Sequence, residues 1–364
     1  MNEKNVNVVL MAPTPPPAGG IGAWAQRYLF LADRYKINAL LCDESLIGKR
    51  VVFGEKSKKN LFNEIKRSFK IWKQLKNCLK EFGNNAIVHC CIPAMTNSLL
   101  REYFSLKIAK KRKVKFVFHF RSTIPNSINS KFSRFLLKKV LKKTNHCIVL
   151  NSISKTYLTQ FISEDKISVV PNFIEEKEIF PKESFRSNIK KALYVGGVIP
   201  EKGCDIIVEA ASKMPSIDFV LVGKISDAIK NVVLEKGITN VILKGELSKN
   251  EVQLEMKDSD VFLFLSRYKG EGFSNAVIEA MACGLPCVVT DWAANKDQIG
   301  IYGQELCVES DNSQQLIDIL QSINDKNKRM EISSYNVQRV KDLYSETVVM
   351  NSYLEIYNFL KMQR

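Results

Sequence analysis

The chain has 364 residues, 45% hydrophobic and 25% charged, with a formal net charge of +16. That length exceeds one ordinary core and predicts two domains, and the composition is globular, without a low-complexity tract or an obvious repeat. The charge is uneven: residues 1–170 hold 31 Lys and Arg against 10 Asp and Glu, while the remainder holds 23 against 28. An anionic partner is therefore expected for the first half.

Residues 5–11 read as a first strand, followed by a turn rich in proline (Pro13, Pro15, Pro16, Pro17) and then Gly19-Gly20-Ile21-Gly22. A helix is predicted from Ala23-Trp24. Strand, glycine loop and helix in that order suggest a phosphate cradle. The fit to a dinucleotide fingerprint is partial. Gly20, Gly22 and Ala25 are in step and Asp43 lies at a ribose-contact distance, but Ala12 to Gly19 separate the strand from the glycines. Further strands are predicted at 39–41, 86–89, 115–118 and 147–150, with helical patterns between them, so a parallel α/β domain is expected.

Residues 61–80 form a basic amphipathic helix pattern, with Phe62, Ile65, Phe69, Trp72 and Leu79 on one stripe and lysines filling the rest. Residues 132–143 and the cluster 110–113 are similar. Such helices either pack their stripe on the sheet or lie on an anionic membrane face. A break follows residues 168–172, and the charged stretch 174–188 reads as a linker between a first domain, 1–173, and a second, 189–346.

The second half restarts the pattern with a strand at 191–195, the loop Gly196-Gly197-Val198-Ile199-Pro200-Glu201-Lys202-Gly203 and a helix at 204–212. Strands follow at 219–222, 241–243 and 261–265. Asp258-Ser259-Asp260 directly precedes the last of these and reads as a strand-entry turn rather than an Asp-x-Asp metal motif. The most informative stretch comes next. Glu271-Gly272-Phe273-Ser274-Asn275 leads into a helix carrying Glu279, which ends at Gly284-Leu285-Pro286 before a buried strand at 287–290. Backbone N–H groups at that helix start suit a phosphate or sugar oxygen, and the two carboxylates suit hydroxyls. The site reads as built for a ligand with a phosphate and many hydroxyls.

The stretch "EGFSNAVIEAMACGLPCVVTD" resembles the E-x7-E region of retaining glycosyltransferases with the GT-B fold, the large family numbered four, also called group 1. "GGIG", "VVPNFIE" and "YVGGVIPEKG" resemble other family segments in the same order, so the resemblance covers nearly the whole chain. It implies two Rossmann-like parallel-sheet domains facing each other across a cleft, with the last helix, near 347–364, packed back on the first domain. It implies transfer of a sugar from a UDP- or GDP-sugar to a glycan or lipid-linked acceptor in surface polysaccharide synthesis. Glu279 would hold the ribose and Glu271 the donor sugar, with N–H groups of Gly272, Phe273, Ser274 and Asn275 on sugar and phosphates. Lys202 would neutralise the leaving diphosphate. Gly20 and Gly22 would let their loop approach that diphosphate.

One departure stands out. The family usually has Gly-Arg where this chain has Gly196-Gly197, and Arg267 or Lys269 would have to supply the second cation. His119 would face the donor sugar, or else be a core histidine bonded to backbone, and Arg121 would meet an acceptor phosphate. No cofactor or metal is expected: the three histidines stand far apart, the nine cysteines are scattered without a C-x-x-C pair, and Lys202 with helix termini supplies the positive field. No nucleic-acid module is visible, so nucleic acid is not expected as a partner. With no apolar run near the ~20 residues that span a bilayer and no signal-peptide pattern at residues 1–5, a cytoplasmic protein peripheral on the inner membrane face is expected. Two alternatives stand beside this one: a GT-B enzyme with a soluble acceptor, and a degenerate sugar-nucleotide-binding partner of a glycan assembly complex.

Overall fold

The structure is a computed structural model that describes residues 5–15, 20–45 and 61–363. The chain divides into two compact units, Met1–Asn172 with Thr347–Arg364, and Phe173–Glu346. Residues 174–188, read from sequence as a linker, fall within the second unit, where Ile174 bridges to Ser345.

The first unit holds a parallel sheet of β1 (Val6–Ala12), β2 (Ile37–Asp43), β3 (Ile87–Ile92), β4 (Lys115–Phe120), β5 (His146–Val149) and β6 (Ile167–Val169), in the order β2-β1-β3-β4-β5-β6. All residues of β3 and β5 are buried, the mark of strands covered on both faces. Alternation sorts them. Val88, Cys90 and Ile92 with Phe116, Phe118 and Phe120 face one core, against the helices Leu61–Phe82, Thr96–Lys111 and Lys131–Leu141. The intervening His89, Cys91 and His119 face the opposite side, toward Trp24 of the helix Gly20–Ala32 and Tyr353 and Tyr357 of the helix Glu346–Met362.

The second unit repeats the plan with β7 (Lys191–Val195), β8 (Asp218–Val222), β9 (Val241–Gly245), β10 (Val261–Phe264), β11 (Cys287–Thr290) and β12 (Cys307–Val308), in the order β12-β11-β10-β7-β8-β9. Asp258-Ser259-Asp260 is a strand-entry turn. Fully buried Asp260 accepts from the N–H groups of Lys190 and Lys191 at 2.9 and 3.1 Å and from Arg186 at 3.2 Å, with buried Arg329 at 3.7 Å.

Sequence reading missed the short strands β6 and β12, which hold three and two residues and give almost no periodicity. It also started the first helix late. Gly20 and Gly22 form its first turn rather than a loop before it. A Cβ on Gly22 would sit 3.3 Å from Pro15, so that glycine admits the proline turn against the helix. No helix among the described residues is long and apolar enough to cross a membrane.

Candidate active site

In each sheet the chain order reverses beside the first strand, between β1 and β3 and between β7 and β10. Loops at the C-terminal ends of such neighbouring strands diverge and leave a crevice, the usual ligand site of an open α/β sheet. In the second unit those loops carry the residues singled out from sequence. The loop after β7 holds Gly196, Gly197 and Lys202, and the loop after β10 holds Arg267 to Ser274.

Lys202 and Glu271 meet there. The Lys202 Nζ donates to Glu271 Oε2 at 2.5 Å, and Ser266 Oγ donates to the same oxygen at 3.0 Å. Both charged side chains are mostly buried, 14% and 11% exposed. The ammonium also lies 5.0 Å from the Tyr268 ring centroid and 5.5 Å from that of Phe264. Gly203 makes this approach possible. Its φ is +77°, and a Cβ there would fall 2.1 Å from the Leu265 carbonyl oxygen. The Ser266 carbonyl is fixed in turn by Thr290 Oγ1 at 2.6 Å.

The helix Asn275–Ala282 begins at Ser274, whose Oγ accepts from the Val277 N–H at 3.3 Å. Gln298 clamps the same residue, accepting from its N–H at 3.2 Å and donating to its carbonyl at 2.7 Å. Gly272 and Phe273 are buried and Asn275 is half-buried. Glu279, one turn on, lines a cavity of about 140 Å³ together with Ile174, Val195, Leu247, Lys249 and Val252. Val195 is the last residue of β7, so the cavity opens at the strand's C-terminal end.

The other expected cations are placed differently. Arg267 makes a bidentate pair with Asp205 at 2.6 and 3.1 Å and lies 3.3 Å from Asp311, while its backbone N–H donates to the Glu201 carbonyl. Its charge is thus already matched by two carboxylates. Lys269 is exposed and lines an open cavity of about 520 Å³ with Tyr268 and Trp292. Gly197 accepts a 2.8 Å hydrogen bond from Tyr194 Oη at its carbonyl.

In the first unit His119 is fully buried and both ring nitrogens are engaged. Arg121 can only donate, so His119 Nε2 accepts from it at 3.1 Å. The proton of neutral His119 then sits on Nδ1 and points to His89 Nε2 at 3.0 Å, and His89 Nδ1–H points to Tyr357 Oη at 2.5 Å. Tyr357 continues to Tyr28 at 2.9 Å. Burial, then the Arg121 charge, holds His89 down to about 3 and His119 well below its usual range, so both stay neutral. Arg121 stacks 4.4 Å above Trp24 and donates to Asn172 at 2.5 Å. Gly20 is exposed at the start of the neighbouring helix, with open space where a Cβ would stand.

His89 has no role in the sequence reading; the β3–β4 register, which sets Cys91 opposite His119, brings its ring to that of His119. Ligating atoms of His89, Cys91 and His119, and separately of Glu44, Cys90 and Glu102, lie within 4.8 Å of one another. An arginine already serves each group: Arg121 bonds to His119, and Arg101 pairs with Glu44 at 3.2 Å and with Glu102.

Comparison with known proteins bears on the fold and the family. An uncharacterised glycosyltransferase of Methanocaldococcus jannaschii is 25% identical over 330 residues, 83% of this chain and 80% of its own length. The UDP-Gal:alpha-D-GlcNAc-diphosphoundecaprenol alpha-1,3-galactosyltransferase of Escherichia coli is 26% identical over 64% of this chain and 68% of its own length. The sucrose-phosphate synthase structure from Thermosynechococcus elongatus superposes with a TM-score of 0.79 at 16% identity, covering 98% of this chain and all of that one, so the fold is GT-B. Residues 4–178 match the family described as Glycosyltransferase Family 4 and residues 175–339 the one described as Glycosyl transferases group 1, and the chain therefore belongs to the GT-B glycosyltransferases.

Proposed function

We propose that this glycosyltransferase moves a hexose from a UDP- or GDP-sugar to a lipid-linked glycan, with retention of the anomeric configuration and without a metal, in the synthesis of a surface polysaccharide. The observation that carries the reading is the Lys202–Glu271 pair at the switch point of the second sheet, in the same unit as the cavity that Glu279 lines at the end of β7. In this reading Glu279 binds the ribose hydroxyls and the cavity takes the base. Glu271 binds the donor sugar, and the start of the helix Asn275–Ala282 faces the phosphates. The similarity to an enzyme named for UDP-Gal and a diphosphoundecaprenol acceptor supports the donor and acceptor classes.

The bond from the anomeric carbon to the leaving diphosphate breaks on the face where the acceptor oxygen bonds. The acceptor's proton passes to the leaving phosphate, and the charge gathering there is met by Lys202. The transition state is oxocarbenium-like. Because Arg267 already serves Asp205 and Asp311, we assign it to holding the Lys202 loop, and Lys269 to the second cation. His119, neutral and bonded on both sides, is a positioning residue for Arg121, which meets the acceptor phosphate.

The test is incubation with UDP- and GDP-sugars in EDTA, with a lipid-diphosphate glycan as acceptor, followed by NMR of the new linkage. Retained configuration at the transferred carbon supports the reading, and inversion sinks it. The alternative of a sugar-nucleotide binder without turnover is favoured by one observation, Gly197 in place of the family arginine. Binding without any nucleotide release would establish it.

A further inference from the structure

The three helices on the outer face of the first sheet are not polar on their solvent side. The helix Leu61–Phe82 exposes Ile65 and Phe69, the latter by 65%. Its neighbour Thr96–Lys111 exposes Leu100 and Phe104, and Lys131–Leu141 exposes Phe132 and Phe135 by 56% and 52%. These residues belong to one surface. The middle helix packs against both others, and the rings of Phe69, Trp72 and Phe104 form a chain with centroids 5.4 and 5.3 Å apart. Cations sit directly on the aromatics: Lys66 lies 4.4 Å above Phe62, Lys107 5.3 Å from Phe104 and Lys139 4.7 Å from Phe135.

The apolar residues are also placed unevenly along the helices. Ile65, Phe69, Leu100, Phe132 and Phe135 lie in the N-terminal halves of their helices and Phe104 just past the middle of its own, while Lys76, Lys80, Lys110, Lys111, Lys138 and Lys139 occupy the C-terminal halves. In a parallel α/β unit each helix runs antiparallel to the strand before it. Its N-terminal half therefore lies at the edge where the strands' C-termini and the ligand crevice are. Exposed apolar groups thus gather toward that edge, with basic groups both among them and behind them.

We propose that this three-helix face is a membrane-docking surface for an anionic lipid bilayer, with Phe69, Phe104, Phe132 and Phe135 entering the headgroup–acyl boundary and the lysines meeting lipid phosphates. Amphipathic helices bind membranes by this combination of buried apolar area and attraction to anionic lipid. The surplus of 31 basic over 10 acidic residues in the first 170 supplies the complementary charge. A partner protein or a second copy would be expected to neutralise those lysines with carboxylates, and the second unit, with 27 acidic residues against 21 basic, offers only a small surplus. Delivery of a lipid-linked acceptor to the crevice rests on the proposed function; the docking surface itself does not.

Flotation of the full chain with vesicles of phosphatidylcholine alone, and with about one-third phosphatidylglycerol, tests this at about 0.1 and 0.5 M salt. Expected is binding to the anionic vesicles at low salt, at least tenfold weaker in high salt and on neutral lipid. Phe69→Ser combined with Phe104→Ser and Phe135→Ser should cut partitioning at least tenfold and leave donor hydrolysis without acceptor unchanged. As a check that needs only one substitution, Phe69→Trp fluorescence should be quenched by brominated acyl chains more than the wild type. No flotation at low salt, equal binding to neutral lipid, or no added quenching at position 69 overturns the proposal. So does a dimer in light scattering that the triple substitution dissolves, since a second copy would then cover the face. Lost donor hydrolysis with intact vesicle binding would instead count against the glycosyl-transfer reading alone.

Discussion

Replacing Glu271 with Gln tests the site at its centre. The substitution keeps the volume and removes the charge that Lys202 reaches at 2.5 Å, and Ser266 can still donate to the amide oxygen. A hydrogen bond to a charged group contributes about 1.5–3 kcal/mol, so donor kcat/KM should fall roughly 10- to 150-fold. Lys202→Met should act differently. The lysine's charge matters most as the diphosphate leaves, so kcat should fall by about 100- to 1000-fold while KM changes little. Because the two side chains act on one another, the double variant should be hardly worse than Lys202→Met alone. The assay is coupled detection of released nucleoside diphosphate under saturating acceptor. Losses that simply multiply, or a Glu271→Gln enzyme within threefold of wild type, would refute the coupling.

Two further outcomes concern the scaffold. Asp260→Ala strands the buried Arg329 without its carboxylate and frees two backbone N–H groups, and should cost the second unit about 3–5 kcal/mol in urea unfolding. A loss below 1 kcal/mol would show that the strand-entry turn does not anchor β7. The first unit should show a particular pH dependence. Burial, then the neighbouring Glu102 carboxylate, pushes Glu44 up to about 8 from its ordinary 4.5. The folded state thus holds a proton that the unfolded chain has released, and this contribution is lost as pH rises toward 8. Buried neutral His89 and His119 act in the opposite sense, and their contribution is lost as pH falls below about 6.5. Between pH 6.5 and 8 the unfolded histidines are still losing protons and offset part of the Glu44 loss, so stability should fall by about 0.5–1 kcal/mol, a fall that Glu44→Gln should remove. A wild type that gains stability over that window would contradict the assignment.

Much of the second unit was legible in the chain because its elements are punctuated by strong local signals. Gly284 and Pro286 end one helix, Gly203 takes a left-handed turn before another, and β10 and β11 are continuous apolar runs. The partnership of Lys202 with Glu271 was not legible, since 69 residues separate them and only the order of β7 and β10 brings their loops together. The same holds for Arg267. As a cation beside Glu271 it reads as a diphosphate ligand, but two carboxylates from distant loops, Asp205 and Asp311, claim it first. The histidine chain of the first unit depends on strand register and on tyrosines some 270 residues further along, Tyr357 among them. Helix amphipathicity showed apolar stripes at 61–80 and 132–143. It did not show that Phe69 and Phe135 remain outside while Ile71, Leu75 and Leu137 fill the core.

The most direct test of the central claim is a thermal-shift panel of UDP, GDP, ADP and CMP with their common sugar conjugates, each with and without EDTA. A ligand present at 100 times its Kd stabilises the native state by about 2.7 kcal/mol, which for a unit of this size raises Tm by about 5–10 °C. The expected result is that one uridine or guanosine diphosphate class gives that rise despite EDTA, and that Glu279→Ala abolishes it. A panel in which no nucleotide moves Tm, or in which Glu279→Ala leaves the rise intact, would contradict the placement of the donor in the second unit.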